Sequence, residues 1–536
     1  MWKKDATKND SIMVKVEGRG LTSTLVRTCN RVKLTAFYNN VKVRNWLPQV
    51  ILLIIATPLR FLKLGNPETL VFDETYYVKD AWALLRFGYE RNVVEDADLI
   101  LNNGSENFLA EDAAYVVHPP VGKWVIAFGE FIFGLNPFGW RAGVALLGVL
   151  AVIMVYKIMI LLNATTPIAF LAGLAMAVDG IAIVMSRTAL LDQTLMFAVL
   201  VSVWAAIKVV KEKSWRYTIV MSFALGLATA TKWSGLWYAI AIFIIIFITN
   251  LARKNQRWLN KVGKEVSRVL IGGVILLFTY ILSWGGWLLS SDGWGRDAVT
   301  GVNWLPQPLR ALLEYHKNAY NFHTQLTAEH PYSSDPLGWL LMLRPTSFWY
   351  TSNDDQNILC ESSECAGEVL ALGNVVIWWV AVFAAIVFLG MLVTNRLSTI
   401  ESIGVLVPLL ALAAGWAPWF FYRERTTFNF YIIVVAPYIC MIFAWFVSMI
   451  WQPSKKKMVD AIISAEENAT KEHVESGGEK IEIMRQKNKH LSWRSVVALL
   501  IVITMLLVSI YFYPIWSGMT LSKEAWQARM WFNSWV

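Results

Sequence analysis

The sequence predicts an all-α polytopic membrane protein with about 11 transmembrane helices. Three observations predict it. Charged residues make up only 16% of the chain and hydrophobic ones 56%, whereas a soluble chain is about a quarter charged. The runs IWWVAVFAAIVFLGMLV (377–393) and VVALLIVITMLLVSIYF (496–512) contain no charge, as a bilayer span requires. A single soluble core stops growing near roughly 250–300 residues, and this chain of 536 residues has no polar half to cover a second one. Soluble-enzyme, nucleic-acid-binding and fibrous readings are thereby excluded. The net charge of +9 belongs to cytoplasmic loops rather than to a nucleic-acid surface.

Candidate spans begin near Leu47, Arg141, Pro167, Leu190, Thr218, Leu236, Val269, Val375, Ser402, Phe428 and Ser495. Those around 218–250 are short, and Pro167 and Gly180 interrupt the third. The chain divides into a tail 1–46, a transmembrane region 47–289 whose first loop is 64–140, a large loop 290–373, and a region 374–536 enclosing the loop 451–494. The tail shows no signal-peptide pattern.

Lysine and arginine assign the sides. The tail carries ten of them against three acids. Further basic groups stand at Lys211, Lys213 and Arg216, at Arg253, Lys254, Arg257, Lys261 and Lys264, and at Lys455, Lys456 and Lys457. All lie an even number of spans from the tail, so the positive-inside rule makes them cytoplasmic. Segment 64–140 has twelve acids against four bases and faces outside, as do 290–373 and the C-terminus. Outside, Cys360 and Cys365 meet an oxidising environment, which permits a disulfide. No G-x-x-x-x-G-K-[ST] occurs, so ATP-driven transport has no support.

The unusual polar residues gather at the outer face. Asp73 and Glu74 follow the first span. Adjacent residues on a helix point about 100° apart, and such a doublet ordinarily serves an ion pair or a helix N-terminus. Its functional reading is a general base at the lipid–water boundary, where desolvation raises proton affinity. In YVVHPPVGKW, Pro119 and Pro120 fix a turn that holds His118 and Lys123. Residues 121–135 are apolar but too short to cross, and read as a helix in the interface. Arg141 ordinarily reads as a snorkelling anchor. Arg187 and Asp192 read as an ion pair closing a loop, and Lys232 as an interfacial lysine beside Trp233. His316, His323 and His330 are seven residues apart. That spacing is roughly 10 Å on a helix, too far for three ligands to one zinc. Arg423 and Arg425 at the outer edge run against the positive-inside trend and suit a bound phosphate.

In order, FDE at 72–74, HPPVGK, SRTALLD, KWSG and HPYSSDP resemble the protein O-mannosyltransferase family in its bacterial, actinobacterial-like form. The match runs from about Asp73 to Arg425. Two departures stand out: 290–373 is too short for the central MIR domain of eukaryotic members, and their HPPLAK-type motif reads HPPVGK. The resemblance implies a GT-C glycosyltransferase fold and transfer of mannose from a polyprenyl-phosphate carrier to Ser or Thr hydroxyls of secreted proteins. It places Asp73 as the essential carboxylate, with Glu74 supporting it. It gives a donor-contact role to Arg141, and by extension to His118, Lys123, Arg187 and Lys232, joined by Arg423 and Arg425. Asp192, His330, Cys360 and Cys365 are expected to be structural.

No cofactor is indicated, and a divalent metal has no support from the spacing. The implied partners are the polyprenyl-phosphate-mannose donor, unfolded secreted acceptors, membrane lipid and the secretion translocon, without nucleic acid. The implied location is the plasma membrane, with the N-terminus cytoplasmic and the site and C-terminus external. Two alternatives are another GT-C enzyme acting on a lipid or cell-wall acceptor, and a transporter. The transporter is disfavoured because the ionisable residues cluster at one face.

The orientation carries a direct test. A cysteine placed at Gly477 should resist an impermeant thiol reagent in intact cells and react after permeabilisation. Labelling in intact cells would reverse the side assigned to every loop.

Overall fold

The computed structural model describes residues 41–252, 258–298, 301, 303–352, 364–451 and 492–536. The expectations for the tail 1–40, for 452–491 and for Cys360 lie outside the described residues. Residues 1–50 and 51–536 form two units. Of the first, only the start of helix α1 (Val41–Phe61) is described, and all later elements belong to the second.

Helix α2 (Glu74–Phe87) and the short apolar helix α3 (Val121–Phe133) lie in the first connecting segment. Between them β1 (Arg91–Val93) and β2 (Leu109–Ala113) form a small antiparallel pair. Then come α4 (Pro137–Leu161), the pair α5 (Thr166–Val178) and α6 (Gly180–Arg187), α7 (Leu191–Glu212), α8 (Trp215–Thr229), α9 (Gly235–Leu251) and α10 (Trp258–Ser283). After α11 (Gln307–Gln325) in the second long segment, α12 (Val375–Val393), α13 (Thr399–Trp416), α14 (Ala436–Trp451) and α15 (Trp493–Ser517) complete the bundle. Among the described residues, seven helical stretches are long and apolar enough to cross a bilayer, eight if α5 and α6 count as one. The expected spans near Leu47 and Leu236 fall on shorter apolar helices. The one near Thr218 falls on α8, whose 15 residues reach only about 22 Å against the roughly 30 Å of hydrocarbon. Length and composition thus support seven or eight of the eleven expected spans.

Glycine sets how closely these helices approach. α4 starts behind Asn136, whose side chain accepts from Gly139 N at 3.0 Å, with Pro137 in its first turn. A Cβ at Gly143 would stand 2.2 Å from the carbonyl oxygen of Val125, and one at Gly129 2.3 Å from that of Gly139. α3 therefore lies directly on the backbone of α4, in the manner of small-residue membrane helix contacts. On its other side α3 leaves Phe128, Phe131 and Ile132 exposed, as an interfacial helix requires.

The 55° bend between α5 and α6 occurs at Asp179. Its carboxylate accepts from Ala182 N at 3.1 Å, capping α6, and from Asn374 N and Trp378 Nε1, each at 2.9 Å. The break leaves carbonyls at the end of α5 without helical partners. Arg60, fully buried, donates to two of them, Met176 and Ala177, at 3.0 Å each.

The long segment after α10 was expected only as a loop, yet it holds two strands of a sheet. Strand β3 (Thr346–Ser352) pairs antiparallel with β4 (Cys365–Ala371), and β4 pairs with β5 (Thr520–Ser522), which returns from the end of α15. All seven residues of β4 are buried. Burial on both faces removes the apolar–polar alternation by which a strand is recognised. Cys365 is disulfide-bonded. Cys440 is a buried free thiol.

At Gly180 an added Cβ would lie 2.1 Å from the Trp516 ring and 2.2 Å from the Leu372 carbonyl oxygen. Gly273, by contrast, faces open space. Gly180→Ala should lower the melting midpoint in detergent by several degrees, because backbone and a buried indole must both move. Gly273→Ala should leave it unchanged, and equal midpoints for the two variants would refute this packing.

Candidate functional site

The two adjacent carboxylates have opposite fates. Glu74, fully buried, opens α2 and points into the bundle. Its Oε1 accepts from Arg141 Nε at 2.8 Å and from Ala189 N at 2.8 Å. Its Oε2 accepts from Arg141 Nη2 at 2.7 Å and from Val71 N at 3.0 Å. Arg141 spends its other N–H groups on carbonyls of the chain between α1 and α2: Leu64 at 3.2 Å, Pro67 at 2.8 Å and Thr69 at 2.9 Å. Arg187 does the same for Arg60, Leu62 and Lys63, at 3.1, 2.9 and 2.8 Å. Irregular backbone inside a bundle must find donors for its carbonyls, and a guanidinium carries five.

Asp73 holds the N-cap position of α2 but makes no capping bond there. It instead accepts from Tyr77, one turn along, and stands within electrostatic reach of Lys232 and Asp192. Burial pushes its carboxyl up to about 6, against the pull of Lys232.

Beside it opens a cavity of about 350 Å³. One end is polar, with His118, Asp192, Lys232, His323 and Arg425. The other is apolar and includes Leu236, Trp237 and Ile240 of α9, with Ala414 and Gly415 of α13. Leu236, Trp237 and Ile240 are exposed despite lining the cavity, so the apolar end is not sealed within the core. Lys232 bonds Asp192 at 2.7 Å and lies 5.1 Å from the Tyr431 ring centroid. His323 Nε2–H donates to the Val117 carbonyl at 3.1 Å, which leaves Nδ1 to accept from Arg425 Nη2 at 3.4 Å. Burial and the Arg425 charge push His323 down to about 4. His118, 5.1 Å from His323 ring to ring, is also pushed well below its usual value by burial. Both imidazoles are therefore neutral, and the net positive charge of this end rests on Lys232 and Arg425.

A family model described as dolichyl-phosphate-mannose-protein mannosyltransferase matches residues 50–290. Another, the C-terminal four-span region of protein O-mannosyltransferase, matches residues 308–535. The chain belongs to the protein O-mannosyltransferase family. A polyprenol-phosphate-mannose–protein mannosyltransferase of Mycobacterium tuberculosis is 28% identical over 92% of each chain. That of Corynebacterium glutamicum is 27% identical over 90% of this chain and 92% of its own. Among solved structures, the S. cerevisiae protein O-mannosyltransferase Pmt1–Pmt2 complex bound to the sugar donor superposes with a TM-score of 0.68. It covers 94% of both chains at 14% identity. Archaeal oligosaccharyltransferase AglB from Archaeoglobus fulgidus gives 0.51 at 13% identity, over 91% of this chain and 58% of that one. The fold is thus GT-C.

Of the residues expected at the site of this mannosyltransferase-family chain, His118, Lys232 and Arg425 line the cavity, and Asp73 lies within electrostatic reach of Lys232. Asp192 joins them as the partner of Lys232, not of Arg187. Glu74, Arg141 and Arg187 are consumed by the scaffold of buried backbone carbonyls, so a donor contact by either arginine does not fit this geometry. Lys123 is buried between Glu90, which it bonds directly, and Asp80 at 3.8 Å. Arg423 turns away to Asp335, at 2.6 and 2.8 Å. The three histidines part company: His316 bonds the Tyr280 hydroxyl at 2.5 Å, His323 faces the cavity, and His330 packs on Phe428 at 4.9 Å. Tyr77, His323 and Tyr431 were not singled out as site residues. Tyr77, four residues after Asp73 on one helix face, is the one that spacing alone would have found.

Removing one partner of a buried, hydrogen-bonded ion pair costs about 3–5 kcal/mol, because the other charge is left stranded. Glu74→Gln and Arg141→Ala should therefore both reduce folded protein and lower its melting midpoint. Arg425→Ala, whose side chain bonds only a neutral imidazole, should fold at near wild-type levels. A well-folded Arg141→Ala protein with a selective defect in donor use would restore the role first expected for it.

Proposed function

We propose that this chain transfers mannose from a polyprenyl-phosphate-mannose donor to Ser or Thr hydroxyls of exported proteins, with Asp73 as general base. The observation that carries the reading is a cavity with Lys232 and Arg425 at one end and exposed apolar side chains at the other, placed beside a desolvated carboxylate. Membership of a family of protein mannosyltransferases supplies the sugar and the acceptor class.

The chemistry follows from the groups present. The acceptor hydroxyl gives its proton to Asp73 as its oxygen bonds to C1 of mannose. The C1–O bond to phosphate breaks with its electron pair staying on the phosphate. That leaving group needs charge stabilisation rather than a proton, and Lys232 and Arg425 are the cations that face the cavity to provide it. C1 gains oxocarbenium character on the way, and a single displacement inverts it. The apolar end, lined by Leu236, Trp237 and Ile240, suits the first isoprene units of the carrier. It lets the rest of the tail stay in lipid. The Tyr77 bond orients the base, and the raised proton affinity of Asp73 makes it stronger than an exposed carboxylate. The charge bias of the loops supports an outer position for this end of the bundle at the plasma membrane, where exported chains emerge unfolded.

Purified protein should move labelled mannose from polyprenyl-phosphate-mannose onto a Ser- or Thr-containing peptide. Asp73→Asn should lose at least about 100-fold in turnover, the usual range for a missing base. Turnover of the wild type should fall as pH drops through about 6, where Asp73 takes up a proton. A folded-state value raised above the unfolded one means that ionised Asp73 costs stability, a cost that grows as pH rises from about 4 through about 6. Asp73→Asn should therefore be no less stable than wild type at neutral pH. Near wild-type single-turnover transfer by that variant would overturn the mechanism.

A further inference from the structure

Phe72, immediately before the base, has φ of +49°. That left-handed conformation is a genuine outlier for a bulky aromatic residue, and it persists only where surrounding structure enforces it. Here the enforcement is visible. The Phe72 ring stacks on Phe348 of β3 with centroids 4.9 Å apart. Phe430, Phe428 and His330 meet it edge-on at 5.5, 5.7 and 6.1 Å. Phe348 and Phe430 are themselves buried. The clasp is drawn from three places distant in sequence. Two of them are sewn together by the Ser334 N to Thr427 carbonyl bond at 2.8 Å and by the Ser333–Phe428 bridge.

The strip that closes on Phe72, residues 425–431, also delivers Arg425 and Tyr431 to the cavity. One side chain thus ties the backbone of the base to the segment that carries a cation for the leaving phosphate. On the opposite side Glu74 fixes the start of α2 through Arg141, but Asp73 itself makes no capping bond. The Asp73 carbonyl accepts from Tyr76 N at 3.0 Å and Tyr77 N at 3.1 Å, so Asp73 is carried on the first turn of α2, and the torsion angles of Phe72 set how the chain enters that turn.

We infer that Phe72 is a positioning residue: its ring, clasped by Phe348, Phe428, Phe430 and His330, holds a strained backbone that aims Asp73 at the sugar. Without the ring the backbone relaxes to φ below zero and the carboxylate swings away from Lys232. Phe72 does not line the donor cavity, and the cavity's cations keep partners of their own, Lys232 on Asp192 and Arg425 on His323. The inference rests on the proposed mannose-transfer reaction.

The test uses the full-length protein and the mannose-transfer assay. Misplacing a catalytic group by about 1 Å can cost about 100-fold. Phe72→Ala should therefore lose between about 10- and 100-fold in kcat, with the KM for the donor changed less than about twofold. The acidic limb of its kcat profile should move from about 6 toward the ordinary range of an exposed aspartate, near pH ~4. Phe72→Tyr, which keeps the ring, should stay within about threefold of wild type. If Phe72→Ala accumulates poorly, Phe72→Leu takes its place with the same direction of change in kcat and pH profile, since it fills space without stacking. Wild-type kcat in the folded Ala or Leu variant, or a Tyr variant as impaired as Ala, would overturn the positioning role. A wild-type protein that transfers no mannose would overturn the functional reading itself, which keeps the two failures apart.

Discussion

The bidentate pair between Glu74 and Arg141 is the contact on which the rest of the site depends. It joins the start of α2 to α4, and its remaining acceptors and donors tie down the chain between α1 and α2 and the backbone at Ala189. Glu74 reaches Val71 N and Ala189 N, while Arg141 reaches three carbonyls of residues 64–69. Away from water, each of those backbone groups would be costly if left unpaired. One buried ion pair thereby lets an irregular segment exist inside a helical bundle. Hydrophobic residues of equal volume could fill the same space but could not satisfy the carbonyls.

The same requirement explains how the cations divide. Arg60, Arg141 and Arg187 all lie where helices end or break, and each donates to carbonyls that have lost helical partners. The planar guanidinium with five donors suits that task better than an ammonium. Lys123 meets two carboxylates instead. What remains for a phosphate is the pair that faces the cavity. Lys232 is held by a single aspartate, and Arg425 by a neutral imidazole that accepts without adding charge. In that arrangement the two cations face the cavity without a second carboxylate bonded to either of them.

This division also marks what was legible in the sequence. Apolar runs such as 377–393 became α12, and 496–512 lies within α15, because a run without charge has only one stable setting in lipid. The carboxylate doublet and the KW of KWSG were legible as an unusual pattern at one boundary. The roles of Arg141 and Arg187 were not. A sequence displays charges but hides backbone carbonyls, and it was carbonyls that claimed these two. The buried strand β4 was missed for a related reason, since its residues lie inside on both faces and carry no alternation. Arg423 and Arg425, two residues apart, point to different partners, and only the turn between α13 and Asn429–Val435 decides which faces the cavity.

The adjacency of Asp73 and Glu74 then has a physical sense. An aspartate at a helix N-cap ordinarily accepts from the next turn of amides, which is worth about 1 kcal/mol. That bond requires extended backbone, and Asp73 has φ −68° and ψ −3°. Its carboxylate is thus denied the cap and left with Tyr77 as its side-chain partner. Glu74, one methylene longer, reaches past the helix start into the bundle and anchors it. The helix gives up a stabilising cap, the following residue supplies the anchor, and an uncapped carboxylate is held within electrostatic reach of Lys232 beside the cavity. Exchanging the order of the two residues would put the short side chain where reach is needed and the long one where direction is needed.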